Sequence, residues 1–299
     1  MKTVKRRVGR TAEDRAVDIT VHVLALIIFI ASFYPFYLAI ILAFNEGKDA
    51  TLGGIFFWPR KPTFENFKRL LEDPIWAKAF MVTVLRTIIG TLATTLFTSF
   101  VAYGLSYREL VGRRVYMIMI IVSMYFSGGL IPYFAVLRSL HLINNFLVFI
   151  IPGMLNLFFV LVSISFFQNI PRELGESARI DGAGEGQIFS RIILPVSMPL
   201  LATIAIFTAV GHWNSWFDVA FFTQSKNLHT LGYELMVIIN RSSSNMSASL
   251  AAEVIGKSQT TSMSVQVAAM LVATLPILVV YPFFQRYFIS GLTIGAVKA

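Results

Sequence analysis

Six stretches of this chain contain no charged residue over 20 or more positions, and no other feature of the sequence restricts the fold as strongly. A membrane-spanning helix needs about 20 consecutive apolar residues, so each stretch can cross a bilayer. Only 14% of the 299 residues are charged, against about 25% in soluble domains. The sequence therefore predicts an all-α integral membrane protein with six transmembrane helices and argues against a soluble enzyme. The stretches are residues 19–45, 87–107, 115–137, 139–171, 192–217 and 258–285.

The basic residues, 25 against 16 acidic ones, lie at the ends of the apolar stretches and not along one soluble face. This pattern indicates membrane topology, and we expect no nucleic-acid partner. The densest basic clusters, residues 5–7 and 108–114, fall on the side that the positive-inside rule assigns to the cytoplasm. The first stretch is too long for a signal peptide, so we expect an uncleaved helix with both termini cytoplasmic. The expected domains are an N-terminal tail 1–18, a transmembrane domain 19–289 and a C-terminal tail 290–299.

The sequence lacks the residue patterns of a metal site and of an ATPase site. The chain has no cysteine, and its four histidines show no metal-ligand spacing, so we expect no metal site. The letters GKS at 256–258 resemble the end of a phosphate-binding loop, but Ala251 stands where the first glycine belongs. We expect no ATPase site and no catalytic residue in this chain.

The segment 169–199, between the fourth and fifth stretches, is charged and expected to be cytoplasmic. Its prolines and the Asp181-Gly182 turn predict a short helix over 171–181 and a second helix that ends at Leu194, before Pro195. The first helix has little side-chain bulk, so it can lie closely in a groove of a partner. The small residues of this helix and of the turn that follows it are Gly175, Ser177, Ala178, Gly182 and Ala183. The charged residues are Glu173, Glu176, Arg179 and Asp181.

This segment resembles the EAA loop of permease subunits in bacterial ABC importers, EAA-x3-G-x9-I-x-LP. The chain has E-S-A at 176–178, G at 182, I at 192 and L-P at 194–195, with the same spacing. The single departure is Ser177 in place of an alanine. The DGA at 181–183 resembles carbohydrate-uptake permeases, and the ending at 277–299 resembles the second permease of maltose-type importers, in wording most similar to lipoprotein-linked and alginate-type polysaccharide permeases.

The resemblance implies a type I importer permease with a MetI-like bundle, in the bacterial cytoplasmic (inner) membrane. It would import oligosaccharides or polysaccharide fragments together with a second, distinct permease, two ATPase subunits that bind ATP and Mg²⁺, and an extracellular or periplasmic solute-binding protein. Glu176 would be a charged anchor, Ser177 and Ala178 a close-packing surface, and Gly182 the turn. The full set expected to couple the chain to the ATPase is Glu173, Glu176, Ser177, Ala178, Arg179, Asp181, Gly182 and Ala183.

A polar cluster at 211–218 interrupts the fifth stretch. Aromatic faces with amide or carboxylate groups are suited to saccharides, and polar residues inside membranes usually face the bundle or a cavity. Trp213, Asn214, Trp216 and Asp218 are therefore candidate residues of the translocation pathway, with an aromatic belt at the membrane surface as the alternative. We expect Arg86, near the outer end of the second stretch, to snorkel outward.

Two other functions stay open. A permease for another small solute would share the topology, but the DGA and the C-terminal sequence disfavour it. A polytopic membrane enzyme, such as a lipid or isoprenoid transferase, would need paired carboxylates to hold a magnesium diphosphate, and the sequence contains no DDxxD-like run.

Overall fold

A computed structural model of the chain describes residues 12–244 and 260–296. Over these residues the structure is helical, with no β-strand and one isolated bridge between Asn45 and Pro62. The predicted all-α fold is confirmed. The GKS letters at 256–258, residues 1–11 and residues 297–299 lie outside the described residues, so the boundaries predicted for the tails stay predictions, although helix already begins at Ala12.

The helices follow the apolar stretches only in part. The α-helices are α1 (Ala12–Ala43), α2 (Gly47–Thr51), α3 (Glu65–Glu72), α4 (Pro74–Ser106), α5 (Arg113–Tyr125), α6 (Leu130–Ser139), α7 (Leu157–Phe167), α8 (Glu173–Ile180), α9 (Glu185–Ile188), α10 (Leu194–Val196), α11 (Met198–Asn214), α12 (Phe217–Phe222), α13 (Leu231–Ser244) and α14 (Ser262–Ala296). Short 3-10 helices cover Phe146–Phe149, Ile151–Gly153 and Lys226–Leu228.

Three helices of the described chain are long and apolar enough to cross a membrane: Glu13–Ala43, Pro74–Ser106 and Ser262–Val280. Two bent pairs raise the number to as many as five, Phe146–Gly153 with Leu157–Phe167 at 44° and Glu185–Val196 with Met198–Asn214 at 82°. The third stretch, 115–137, is divided because α5 ends at Tyr125 and α6 begins after Gly129, whose φ is +78°. The count of six spans stays a prediction.

The described residues divide into two compact units, 12–70 with 260–271 and 71–244 with 272–296. In the second unit, α4 packs along both α7 and α11. The helix of the fourth stretch is interrupted between Gly153 and Leu157. Two backbone carbonyls at this break accept hydrogen bonds from α4 hydroxyls: Thr94 donates to Gly153 at 2.9 Å and Thr98 to Met154 at 3.1 Å. In a membrane such broken backbone needs internal partners, and α4 supplies them.

The first unit is built around a buried amide side chain. Asn66 of α3 donates to the carbonyls of Ala43 and Asn45, both at 2.8 Å, and its Oδ1 accepts from Ser264 at 2.7 Å. Asn66 is fully buried, so these bonds satisfy groups that would otherwise be costly to bury. They fix the C-terminal end of α1 against α3 and the first turn of α14.

Candidate coupling loop and pathway residues

The helix predicted at 171–181 forms as α8 and ends in a Schellman motif. The N–H of Ala183 donates to the carbonyl of Ala178 at 2.9 Å, and the N–H of Gly182 donates to the carbonyl of Arg179 at 3.0 Å. Gly182 has φ +85°, a conformation that is strained for residues with a Cβ. The glycine therefore reverses the chain here, as the sequence predicts.

The two sides of α8 differ in character. Ala178 and Ala183 pack against the hydrophobic core of their unit, and Gly175 lies beside Ile188, where an added Cβ would be in ordinary contact at 3.9 Å. Ile180 is 86% exposed. The structure thus packs Ala178 against the core and leaves Ile180 and, less fully, Leu174 (40% exposed) as the large apolar side chains open on α8. Ile180 was not in the predicted coupling set; the exposed residues of that set are Glu173, Glu176, Ser177, Arg179, Asp181 and Gly182.

Arg179 connects α8 to the end of α4. Its Nε donates to Oε1 of Glu185 at 2.7 Å, and its Nη2 donates to the hydroxyl of Tyr107 at 2.7 Å. The hydroxyls of Tyr103 and Tyr107 each donate to Oε2 of Glu185 at 3.2 Å. The hydrogen bond between the two side chains raises the pKa of Arg179 and lowers the pKa of Glu185, so the pair stays charged at neutral pH. We call these four residues the loop anchor.

The helical backbone after the turn is longer than predicted. It runs through α9, a π-helical turn over Phe189–Ile193 and α10, and breaks at Ser197 instead of before Pro195. In a regular α-helix the ring of Pro195 would clash with the carbonyl four residues earlier. The wider π turn directly before the proline accommodates it. The predicted end at Leu194 is therefore wrong by two residues.

The four candidate pathway residues have separate partners. Nε1 of Trp213 donates to the carbonyl of Ala273 at 2.9 Å, and Trp213 lines an apolar cavity of about 240 Å³ between α4, α11 and α14. Asn214 ends α11, is exposed and donates to the carbonyl of Val210 at 3.0 Å. Trp216 is also exposed. Among the described residues, the hydrogen bonds of Trp213 and Asn214 go to two different backbone carbonyls.

Asp218, the fourth candidate, forms an ion pair with Arg86. Arg86 is 2% exposed, its Nε donates to Nδ1 of His212 at 3.4 Å, and its guanidinium lies 4.7 Å from the centre of the Phe149 ring. Ser215 also donates to the Asp218 carboxylate, at 3.2 Å. The expectation that Arg86 snorkels outward is wrong, because the carboxylate of Asp218 lets the charge stay inside the protein.

Sequence reasoning missed Glu185, Tyr103, Tyr107 and the pairing of Arg86. The spacing of Tyr103 and Tyr107 by one helical turn was a usable signal, since two hydroxyls at the end of an apolar stretch need polar partners. Over residues 12–244 and 260–296, no group of three or more His, Asp or Glu side chains is arranged to hold a metal ion.

Apolar helices of membrane-spanning length, with an exposed short helix on a tight turn between two of the apolar stretches, define a polytopic membrane protein. The chain belongs to the family described as binding-protein-dependent transport system inner membrane component, which residues 94–294 match. The predicted resemblance is thereby confirmed. Members of this family are transporter subunits, and the family works with a binding protein, as its description states.

Individual relatives span nearly the whole chain. The polygalacturonan/rhamnogalacturonan transport system permease protein YtcP of Bacillus subtilis is 32% identical over 289 residues, 96% of this chain and 99% of the relative. Protein LplC of the same organism is 34% identical over 267 residues, 88% of each chain. A solved bacterial ABC transporter involved in the import of the acidic polysaccharide alginate is 28% identical, with a TM-score of 0.85 over 94% of this chain and 99% of that one.

Proposed function

We propose that this chain is one of two membrane-spanning permease subunits of an ABC importer for oligosaccharides or polysaccharide fragments. The family match supports the class of transporter. The substrate class is supported by relatives named for polygalacturonan, rhamnogalacturonan and alginate. The partners would be a second homologous permease, two ATPase subunits that hold ATP and Mg²⁺, and a solute-binding protein on the outer side of the bacterial inner membrane.

The observation that supports the coupling mechanism is that α8 has an exposed face while its loop is held in place by hydrogen bonds. Glu173, Glu176 and Ile180 stay exposed, while Ala178 and the loop anchor hold the opposite side to the second unit's core. A helix presented in this way can enter a groove on an ATPase subunit and be moved by it as a rigid body. Movement of α8 would then shift the bundle between inward-open and outward-open arrangements.

The docking face can be tested with two substitutions, Glu176→Lys and Ile180→Glu. We expect each to reduce the amount of ATPase that co-purifies with the chain and to reduce uptake, because one reverses a charge and the other places a carboxylate in the apolar part of the contact. Glu65→Lys on α3, which is also an exposed glutamate, is the matched control and should leave both unchanged. Normal ATPase association and normal uptake in both α8 variants would refute the docking role.

We further propose that Trp213 and Asn214 lie on the route of the saccharide. Trp213→Ala and Asn214→Ala should reduce saccharide uptake while ATP hydrolysis remains coupled to the binding protein, because the aromatic surface and the amide contact substrate and not the ATPase. Trp213→Phe keeps an aromatic ring but loses the bond to the Ala273 carbonyl, so it separates packing from substrate contact. Undiminished uptake in both alanine variants, with the substrate preference unchanged, would remove these residues from the route.

A further inference from the structure

The loop between α2 and α3 carries a group of exposed apolar side chains that the transport mechanism does not use. Residues 50–59 contain no charged residue. Leu52 is 80% exposed, Phe56 58%, Phe57 68% and Trp58 78%. We call these four residues the aromatic tip. A single exposed apolar residue is ordinary, but four within seven positions need a partner.

The backbone of this loop is held in place by several bonds, so the exposure is a built feature. Gly53 and Gly54 reverse the chain with φ values of +72° and +73°. Arg60 donates to the carbonyl of Gly53 at 2.7 Å and to the carboxylate of Asp49 at 3.1 Å. Ile55 points inward and is buried against Ile41 and Ala50 of the first unit. Ile55 thus anchors the loop to the first unit, while Phe56, Phe57 and Trp58 stay exposed.

The loop lies beside α1 and not beyond its end. The hydroxyl of Tyr37 donates to the carbonyl of Phe57 at 2.6 Å. Tyr37 is six residues before Ala43, the last residue of α1, which places it about 9 Å along the helix from its end. A protein that approaches from the aqueous side meets the helix end first, so the position of Phe57 favours the bilayer as the surface that it contacts.

The aromatic tip also continues an aromatic row on the exposed surface of α1. Phe29 stacks on Phe33 with ring centres 5.5 Å apart, and Phe33 stacks on Tyr37 at 6.4 Å. Phe29 and Phe33 are 60% and 48% exposed on a helix long and apolar enough to span a membrane. The row leads from the middle of α1 to Phe57, so the apolar surface is continuous from the span to the loop.

The charges at the base of the loop are compensated within the chain. Arg60 pairs with Asp49, and Lys61 pairs with Glu46 at 3.4 Å. Asp49 also accepts a hydrogen bond from Asn45 at 2.9 Å. Polar groups at the base with aromatic groups at the tip are the distribution found at the boundary between water and hydrocarbon, where tryptophan and tyrosine are enriched.

We propose that the aromatic tip inserts into the interfacial region of the bilayer and anchors the C-terminal end of α1 to the membrane. Side chains in this region lie about 5 to 10 Å deep, at the boundary of headgroups and acyl chains. The anchor would fix the depth of the first unit in the bilayer. It requires only that α1 crosses the membrane and does not depend on the identity of the substrate.

The chain has no native cysteine, which allows single-site spin labelling of the full-length protein. Labels are placed at Trp58→Cys and Phe56→Cys, with Ile30→Cys on α1 as the lipid reference and Glu65→Cys on α3 as the aqueous reference, and the protein is reconstituted into nanodiscs of phosphatidylcholine and phosphatidylglycerol. Collision with oxygen reports lipid contact, and collision with a water-soluble nickel chelate reports exposure to water. We expect the ratio of oxygen to nickel collision at both tip sites to exceed that at Glu65→Cys several-fold and to approach that at Ile30→Cys.

The hydrogen bond from Tyr37 provides a second variant. Adding Tyr37→Phe to Trp58→Cys should lower the collision ratio, whereas Tyr34→Phe, a neighbouring exposed tyrosine of α1, should leave it unchanged. A ratio at both tip sites equal to that at Glu65→Cys, while Ile30→Cys still reports lipid, would overturn the proposal. Labels that are water-exposed alone and become shielded only when the solute-binding protein is added would also overturn it, because the tip would then be a protein contact. The uptake of the α8 variants tests the proposed function and does not test the membrane insertion of the aromatic tip.

Discussion

Two residues of the segment 169–199, which we call the candidate coupling loop, have roles that follow from backbone geometry and from charge. Gly182 has φ +85° and no heavy atom within 4 Å of where its Cβ would lie, so its role is conformational and not steric. Glu185 is the acceptor that Arg179, Tyr103 and Tyr107 share. The glycine sets the direction of the turn, and the glutamate holds the turn against α4.

Gly182→Ala should destabilise the loop by about 1 to 2 kcal/mol, the cost of a left-handed conformation for a residue with a Cβ. The matched control is Gly186→Ala in α9, where φ is not positive and the added Cβ meets no heavy atom within 4 Å. The control should be neutral or slightly stabilising, because alanine is the better helix former. Hydrogen–deuterium exchange of the α8 amides in the full-length chain measures the difference. Equal exchange in the two variants would contradict this role of Gly182.

Glu185→Gln should loosen α8, because Arg179 loses its charged acceptor and the two tyrosine hydroxyls keep only a neutral one. The control is Glu109→Gln, which removes an ion pair with Arg172 whose side chains are both about two-thirds exposed. Exposed pairs of that kind contribute little. Faster exchange of the α8 amides and less uptake per ATP hydrolysed are expected for Glu185→Gln and not for Glu109→Gln. The loop anchor would have no structural role if the two variants behave alike.

Among the elements, α4 has the most varied set of partners. Near its N-terminal end, Arg86 forms an ion pair with Asp218. In its middle, Thr94 and Thr98 donate hydrogen bonds to carbonyls at the break of the fourth stretch. Near its C-terminal end, Tyr103 belongs to the loop anchor. At 33 residues it extends about 50 Å. A single rigid element therefore contacts both the coupling loop and the segment with Asp218.

The approach of α4 to α11 depends on Gly90. A Cβ at this position would lie 2.4 to 2.8 Å from three atoms of the His212 ring, and small residues permit such approach between membrane helices. Gly90→Ala should therefore lower the melting temperature of the purified protein, by displacing His212 from Arg86. Gly104→Ala on the same helix meets no heavy atom within 4 Å and should leave the melting temperature unchanged or raise it. A melting temperature of Gly90→Ala that is no lower than that of Gly104→Ala would show that the helices are not in close contact there.

Over the whole molecule, the all-α fold and the family were predictable because they depend on local features. The length of an apolar stretch determines whether it can span a membrane, and the turn at Gly182 is encoded within the few residues around it. The site was predictable only in part. Ala178 packs against the core of its unit, and Arg179 is held by Tyr107, which lies 72 positions away in the sequence.

The sequence by itself determined the membrane class, the all-helical fold, the short helix of the coupling loop and its turn, since each follows from periodicity, length and backbone chemistry over a short window. Only the tertiary structure decided that Arg86 is held inside by Asp218, that the third stretch is divided between two helices and that Phe57 lies beside Tyr37. These features need contacts between residues distant in sequence or the conformation of a particular glycine. A buried charge is tolerated only where its partner is in place, and that partner is known only when the helices are packed.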